Sequence, residues 1–150
     1  MHAADNIMFF YIVALAILIA ASVEDYLRKE VSVLMPVLCG INSASCVVLS
    51  VVSGEFDMAD TFAAFLPGVV LILVAVATRQ SVGYGDGLMT LSFSPALGLW
   101  NTCIGLIVAM VLSAVASILI LVLKKGDRNT KLPFVPFITL GVGVTILAQI

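Results

Sequence analysis

Thr102-Cys-Ile-Gly-Leu-Ile-Val-Ala-Met-Val-Leu-Ser-Ala-Val-Ala-Ser-Ile-Leu-Ile-Leu-Val-Leu123 runs without one charged side chain, and Lys124 and Lys125 follow it at once. At about 1.5 Å of rise per residue, a helix of that length covers the roughly 30 Å of hydrocarbon in a bilayer. Working outward, five further apolar runs lie at approximately Ile7–Val23, Val31–Val52, Phe62–Thr78, Ser81–Trp100 and Leu132–Ile150. The expected fold is therefore all-α: a polytopic bundle of six transmembrane helices forming one domain over residues 1–150. The fourth run is the weakest, because glycines interrupt its first turn and only Trp100-Asn101 separates it from the fifth.

Composition agrees with a lipid setting. Hydrophobic residues make up 62% of the chain and charged ones 11%, and mean hydropathy is +1.22. A soluble domain spends about a quarter of its residues on charge, and without that polar cover a core of this size has no aqueous surface. The net charge of −2 comes from short connections and forms no basic patch, so nucleic acid is not an expected partner. Membrane lipid is.

All seven basic residues fall in alternate connections: Arg28 and Lys29 after the first run, Arg79 after the third, and Lys124, Lys125, Arg128 and Lys131 after the fifth. The positive-inside rule makes those connections cytoplasmic and puts both termini outside, in a multi-pass protein of the cell (cytoplasmic or inner) membrane. The first run also invites comparison with a signal peptide, since it ends in Ala20-Ala-Ser-Val. A signal peptide carries its positive charge before the apolar stretch, whereas Met1–Asn6 offers only Asp5, so a spanning helix is expected. Cys39, Cys46 and Cys103 lie in the runs with no Cys-x-x-Cys spacing, which points to packing and to no metal or other cofactor.

Against this background two carboxylates stand out. Asp25 follows the first run at its inner end, and Asp86 lies in Ser81-Val-Gly-Tyr-Gly-Asp-Gly87 at the inner end of the fourth. A carboxylate at a membrane boundary is costly to retain and useful for chemistry. If the two meet, like charges a few Å apart in low dielectric cannot both ionise, so the pair holds one proton between them. The ionised member then takes a proton from water while the protonated one donates to a peptide carbonyl, the aspartic protease division of labour. Gly83 and Gly85 beside Asp86 are expected to leave backbone unwound and available to an extended peptide substrate. Glu24 and Glu30, flanking Asp25, are candidates for attracting a basic peptide. Bland roles exist for both aspartates: a solvated boundary loop for Asp25, and for Asp86 a cap on a helix starting near Gly87.

Gly83-Tyr-Gly-Asp86 resembles the Gly-x-Gly-Asp motif of the type IV prepilin peptidases, a family of intramembrane aspartic proteases. Asp25 with Arg28, Lys29 and Val31 is similar to that family's first aspartate and its surroundings, Leu97-Gly-Leu-Trp100 to the segment after the motif, and Leu132-Pro-Phe-Val-Pro-Phe-Ile138 leading to Gly141 to its last helix. The resemblance implies a dyad of Asp25 and Asp86 that cleaves a basic leader from a membrane-anchored prepilin-like precursor on the cytoplasmic side. Lacking a cysteine-rich loop, the chain looks like the short Tad/CpaA-type or preflagellin-peptidase-like members, for which methylation of the product is not implied. It differs from the usual pattern at Leu88, where a lysine is common, and at Val31-Ser-Val33, where an Ile-Pro-Asn-like element is common. A different class of function, a small proton-coupled transporter with Asp86 as relay, needs polar partners deeper in the spans, where the runs offer Asn42, Ser43, Ser45 and Ser113. A structural membrane subunit without chemistry is the third.

Overall fold

The computed structural model describes residues 2–28, 32–54, 56–78, 83–123 and 133–148, and among these every regular element is helical. The order is α1 (His2–Arg28), α2 (Leu34–Ser53), α3 (Met58–Ala63), α4 (Phe65–Ala77), α5 (Tyr84–Leu97), α6 (Leu99–Val122) and α7 (Val135–Leu147). Pro67 offers no N–H to the Ala63 carbonyl, which divides α3 from α4; Ala64 between them keeps helical angles (φ −61°, ψ −21°), so the two run on as one rod. Among the described residues four helices are long and apolar enough to cross a membrane: Met8–Arg28, Leu34–Ser53, Met58–Ala77 and Leu99–Val122. As described, α5 and α7 rise only about 20 Å, less than the roughly 30 Å of hydrocarbon.

Three boundaries differ from the sequence expectation. α1 continues through Glu24 and Asp25 to Arg28, so Asp25 is helical and buried rather than in a loop. The mixed charges that read as a loop have helical spacing: Arg28 Nη1 lies 3.9 Å from Glu24 Oε1 one turn back, and a cation in the last turn suits the negative helix end. The turn expected at Trp100-Asn101 falls at Gly98 instead, and both of those residues belong to α6. Pro95 removes an intrahelical hydrogen bond near the end of α5, and Gly98 then adopts φ 78°, a value favouring glycine. Asp60 seals this corner from α3, its Oδ1 accepting the Leu99 amide at 3.2 Å where α6 has no side-chain cap from Gly98. The third is the glycine segment, taken up with the site. Of the seven basic residues that oriented the chain only Arg28 is described; Lys29, Arg79, Lys124, Lys125, Arg128 and Lys131 lie outside the described residues.

α5 is the central helix. It packs against α4 and α2, touches α1, α3 and α6, and buries Met89, Thr90, Phe93 and Ser94. The hydroxyls that this burial would orphan bond their own helix, Thr90 Oγ1 donating to the Asp86 carbonyl at 2.8 Å and Ser94 Oγ to the Thr90 carbonyl. Small residues set the close approaches. A Cβ on Gly87 would stand 2.6 Å from Ile72 Cγ1, and one on Gly68 would stand 2.7 Å from Leu91 Cα, so α4 and α5 meet backbone to backbone at two levels. Gly105 and Gly141 make the equivalent contact between α6 and α7. α7 completes the bundle against α1, where Thr139 Oγ1 donates to the Leu18 carbonyl at 3.1 Å, and Asn42 Nδ2 ties α2 to α1 through the Phe10 carbonyl at 3.1 Å. The apolar core between them comprises chiefly Leu18, Met89, Phe93, Val135, Ile138 and Val142.

Candidate active site

Asp25 and Asp86 lie at one end of the bundle, where the last turn of α1 meets the first turns of α5 and α7. Both are buried, 6% and 8% exposed, and Asp25 lies near enough for its charge to bear on Asp86. Each carboxylate is held by main-chain amides at the start of a helix. Asp25 Oδ2 accepts the Val135 N–H at 3.2 Å, and the Phe134 amide also donates to this carboxylate. Asp86 is the third residue of α5, and its carboxylate turns back to take the amide of Gly83, the residue preceding the helix. Two carboxylates thus lie in one buried region, each held by main-chain amides.

The glycine segment departs from the expectation of unwound, strand-like backbone. Tyr84 to Gly87 form the first turn of α5; only Gly83 is extended (φ −65°, ψ 133°), while Ser81 and Val82 lie outside the described residues. The helix therefore starts before Gly87, and Asp86 sits inside its first turn. The reason is packing: Gly87 is consumed by the α4 contact, which fixes the turn as helix, and the Asp86 carboxylate occupies the Gly83 amide. Gly85 is helical and half-buried, so of the two glycines expected to contact substrate only Gly83 remains an extended, exposed residue.

Gly83 has a further part that the sequence did not reveal. A Cβ there would stand 2.9 Å from Asp86 Oδ2. Alanine tolerates the extended backbone, so Gly83→Ala is expected to leave the thermal midpoint of the bundle nearly unchanged while it pushes the carboxylate aside; for the peptidase activity proposed below, that displacement would lower cleavage about tenfold or more. Wild-type cleavage by that variant, measured beside its melting curve, would remove Gly83 from the site.

Of the two flanking glutamates, Glu24 is half-buried beside Asp25, with Oε2 buried and without a hydrogen-bond partner among the described residues; Glu30 lies outside them. The amides of Phe134 and Val135 are the site groups that sequence reasoning missed. Their signal was Pro133-Phe-Val-Pro136, a helix start whose prolines leave few free donors.

The opposite end of the bundle carries a polar cavity of about 280 Å³, lined among others by Tyr11, Ser50, Asp57, Asp60 and Asn101. Its groups are largely committed to structure: Asp57 caps α3 by accepting the Ala59 and Asp60 amides, Asp60 holds Leu99, and Asn101 Nδ2 donates to the Leu97 carbonyl at 2.8 Å. No family model, curated protein or solved structure matches the chain.

Proposed function

We propose that this chain is an intramembrane aspartic endopeptidase of the type IV prepilin peptidase kind. In this reading six helices cross the cell membrane with both termini outside, and the chain removes a basic leader from a membrane-anchored prepilin-like precursor at the cytoplasmic face. One observation carries the reading: the carboxylates of Asp25, just after the first apolar run, and Asp86, in the fourth, remote in sequence, are both buried at one end of the bundle, near enough for the charge of one to bear on the other. The hydrolytic step uses both. The ionised carboxylate takes a proton from water, the water oxygen bonds to the scissile carbonyl carbon, and the protonated carboxyl donates to the carbonyl oxygen. Collapse of the tetrahedral intermediate breaks the C–N bond and passes a proton to the leaving amine.

Of the deeper polar groups that a relay from Asp86 would use, Asn42, Ser45 and Ser113 donate to the Phe10, Ile41 and Met110 carbonyls, which leaves Ser43 alone of the four and favours hydrolysis over proton transport. The test is co-expression with a prepilin-like precursor from the same genome in a host that lacks a prepilin peptidase. The expected result is a shorter product whose new N-terminus begins at the apolar pilin helix. Precursor that stays full length in the presence of the chain overturns the proposal.

A further inference from the structure

We infer that the first turn of α7 belongs to the catalytic apparatus: the main-chain amide of Val135, together with that of Phe134, is the positioning device that aims the Asp25 carboxylate. The inference rests on the endopeptidase reading and adds to it a role for a helix with no catalytic side chain.

The start of a helix leaves amides free. An α-helix has unpaired N–H groups in its first turn, and the residue before α7, Phe134, offers no side-chain cap to satisfy them. Prolines remove two of the donors, since Pro133 and Pro136 have none. The Phe137 and Ile138 amides both turn back to the Phe134 carbonyl, at 3.0 and 3.1 Å. What remains is Phe134 and Val135, and both donate to Asp25. The whole free donor capacity of this turn is thereby directed at one carboxylate on another helix.

The surroundings keep it there. Val135 is 0% exposed, so water does not compete for its amide. One turn further on, the Thr139 hydroxyl is shared between the Val135 carbonyl of its own helix, at 2.9 Å, and the Leu18 carbonyl of α1, at 3.1 Å, and so helps to hold the register of α7 against α1. A carboxylate aimed by two amides from a register-locked helix loses little freedom when it must meet substrate, and misplacement by even an ångström is costly to a reacting group. Removing one such donor should therefore lower turnover and leave substrate binding intact.

The experiment replaces single backbone amides by esters, using the α-hydroxy analogue of the same residue introduced by nonsense suppression in the full-length chain. An ester at Val135 deletes the donor to Asp25 and also weakens the Phe134 carbonyl as an acceptor; an ester at Phe137 deletes a donor to that same carbonyl, within α7, and so controls for the second effect. The expected result is a kcat about tenfold lower for the Val135 ester with KM changed less than about twofold, and a Phe137 ester that turns over at the wild-type rate. Equal losses in the two esters would mean that the helix start is merely weakened, and an unchanged kcat at Val135 would mean that its amide does nothing for Asp25; either overturns the inference while wild-type cleavage stands. If the Val135 ester does not fold as a monodisperse helical species, the Phe134 ester carries the same expectation and is overturned by the same two outcomes. A wild-type chain that cleaves no precursor removes the endopeptidase reading and this inference with it.

Discussion

Asp86→Asn is expected to reduce precursor cleavage by about a thousandfold or more, and Asp25→Asn by a similar factor, with neither change unfolding the bundle. The two effects share a cause. An aspartic dyad works with one proton between two carboxyl groups, and an amide in either place neither takes a proton from water nor supplies one to the peptide oxygen. The fold survives because Asn keeps the acceptor that each site uses: its side-chain carbonyl receives the Gly83 amide at position 86 and the Val135 amide at position 25. Since both groups serve one chemical step, the double variant should be no slower than the worse single one. Initial rates on a synthetic precursor in lipid nanodiscs, read beside circular dichroism of each variant, check all three expectations. Losses that multiply in the double variant would show two independent contributions instead of a dyad.

Gly141→Ala is expected to be the most damaging small substitution in the bundle, costing about 3 kcal/mol of stability. Its new Cβ would overlap the Gly105 carbonyl oxygen and stand 3.1 Å from the Ala109 nitrogen. These are backbone atoms of α6, with no side chain to swing away, so the helices must separate and the packing of Val142 and Leu106 opens with them. The consequence reaches the site, because α7 carries the amides that hold Asp25. Gly143→Ala is the control: its Cβ would meet Leu15 Cδ1 at 3.7 Å, an ordinary contact. Thermal or denaturant unfolding in detergent should separate the two variants by most of that difference, and equal stabilities would contradict the close α6–α7 approach.

How much of this was legible in the sequence follows from the range of each interaction. Hydropathy is a local property summed over many residues, so the long apolar helices and the pairing of Asp25 with Asp86 at one end could be expected from the chain alone. Where a long-range contact decides, the sequence misled. Glu24-Asp25 looked like a solvated loop because nothing local shows that α7 will supply amides from position 135. The glycines around Tyr84 looked unwound because their cost as isolated helix residues is visible, whereas the benefit of backbone contact with Ile72 is not. The Gly98 turn had its signals, Pro95 before it and a glycine in place, but Trp100-Asn101 drew the boundary two residues late. Asp57, three residues before Asp60 and just ahead of an apolar run, was a readable helix cap. That Asp60 would cap a different helix was not.

The central claim is that Asp25 and Asp86 act as one unit, and its most direct test is proximity in a bilayer. In a chain with Cys39, Cys46 and Cys103 replaced by serine, Asp25→Cys and Asp86→Cys are combined, reconstituted into lipid and treated with the shortest bifunctional thiol reagents. Rapid intramolecular cross-linking of the pair is expected, detected as a linked peptide by mass spectrometry, and none when Asp86→Cys is paired with Asp60→Cys near the far end of the bundle. Free thiols at both 25 and 86 after treatment, in a chain that is otherwise folded, would contradict it.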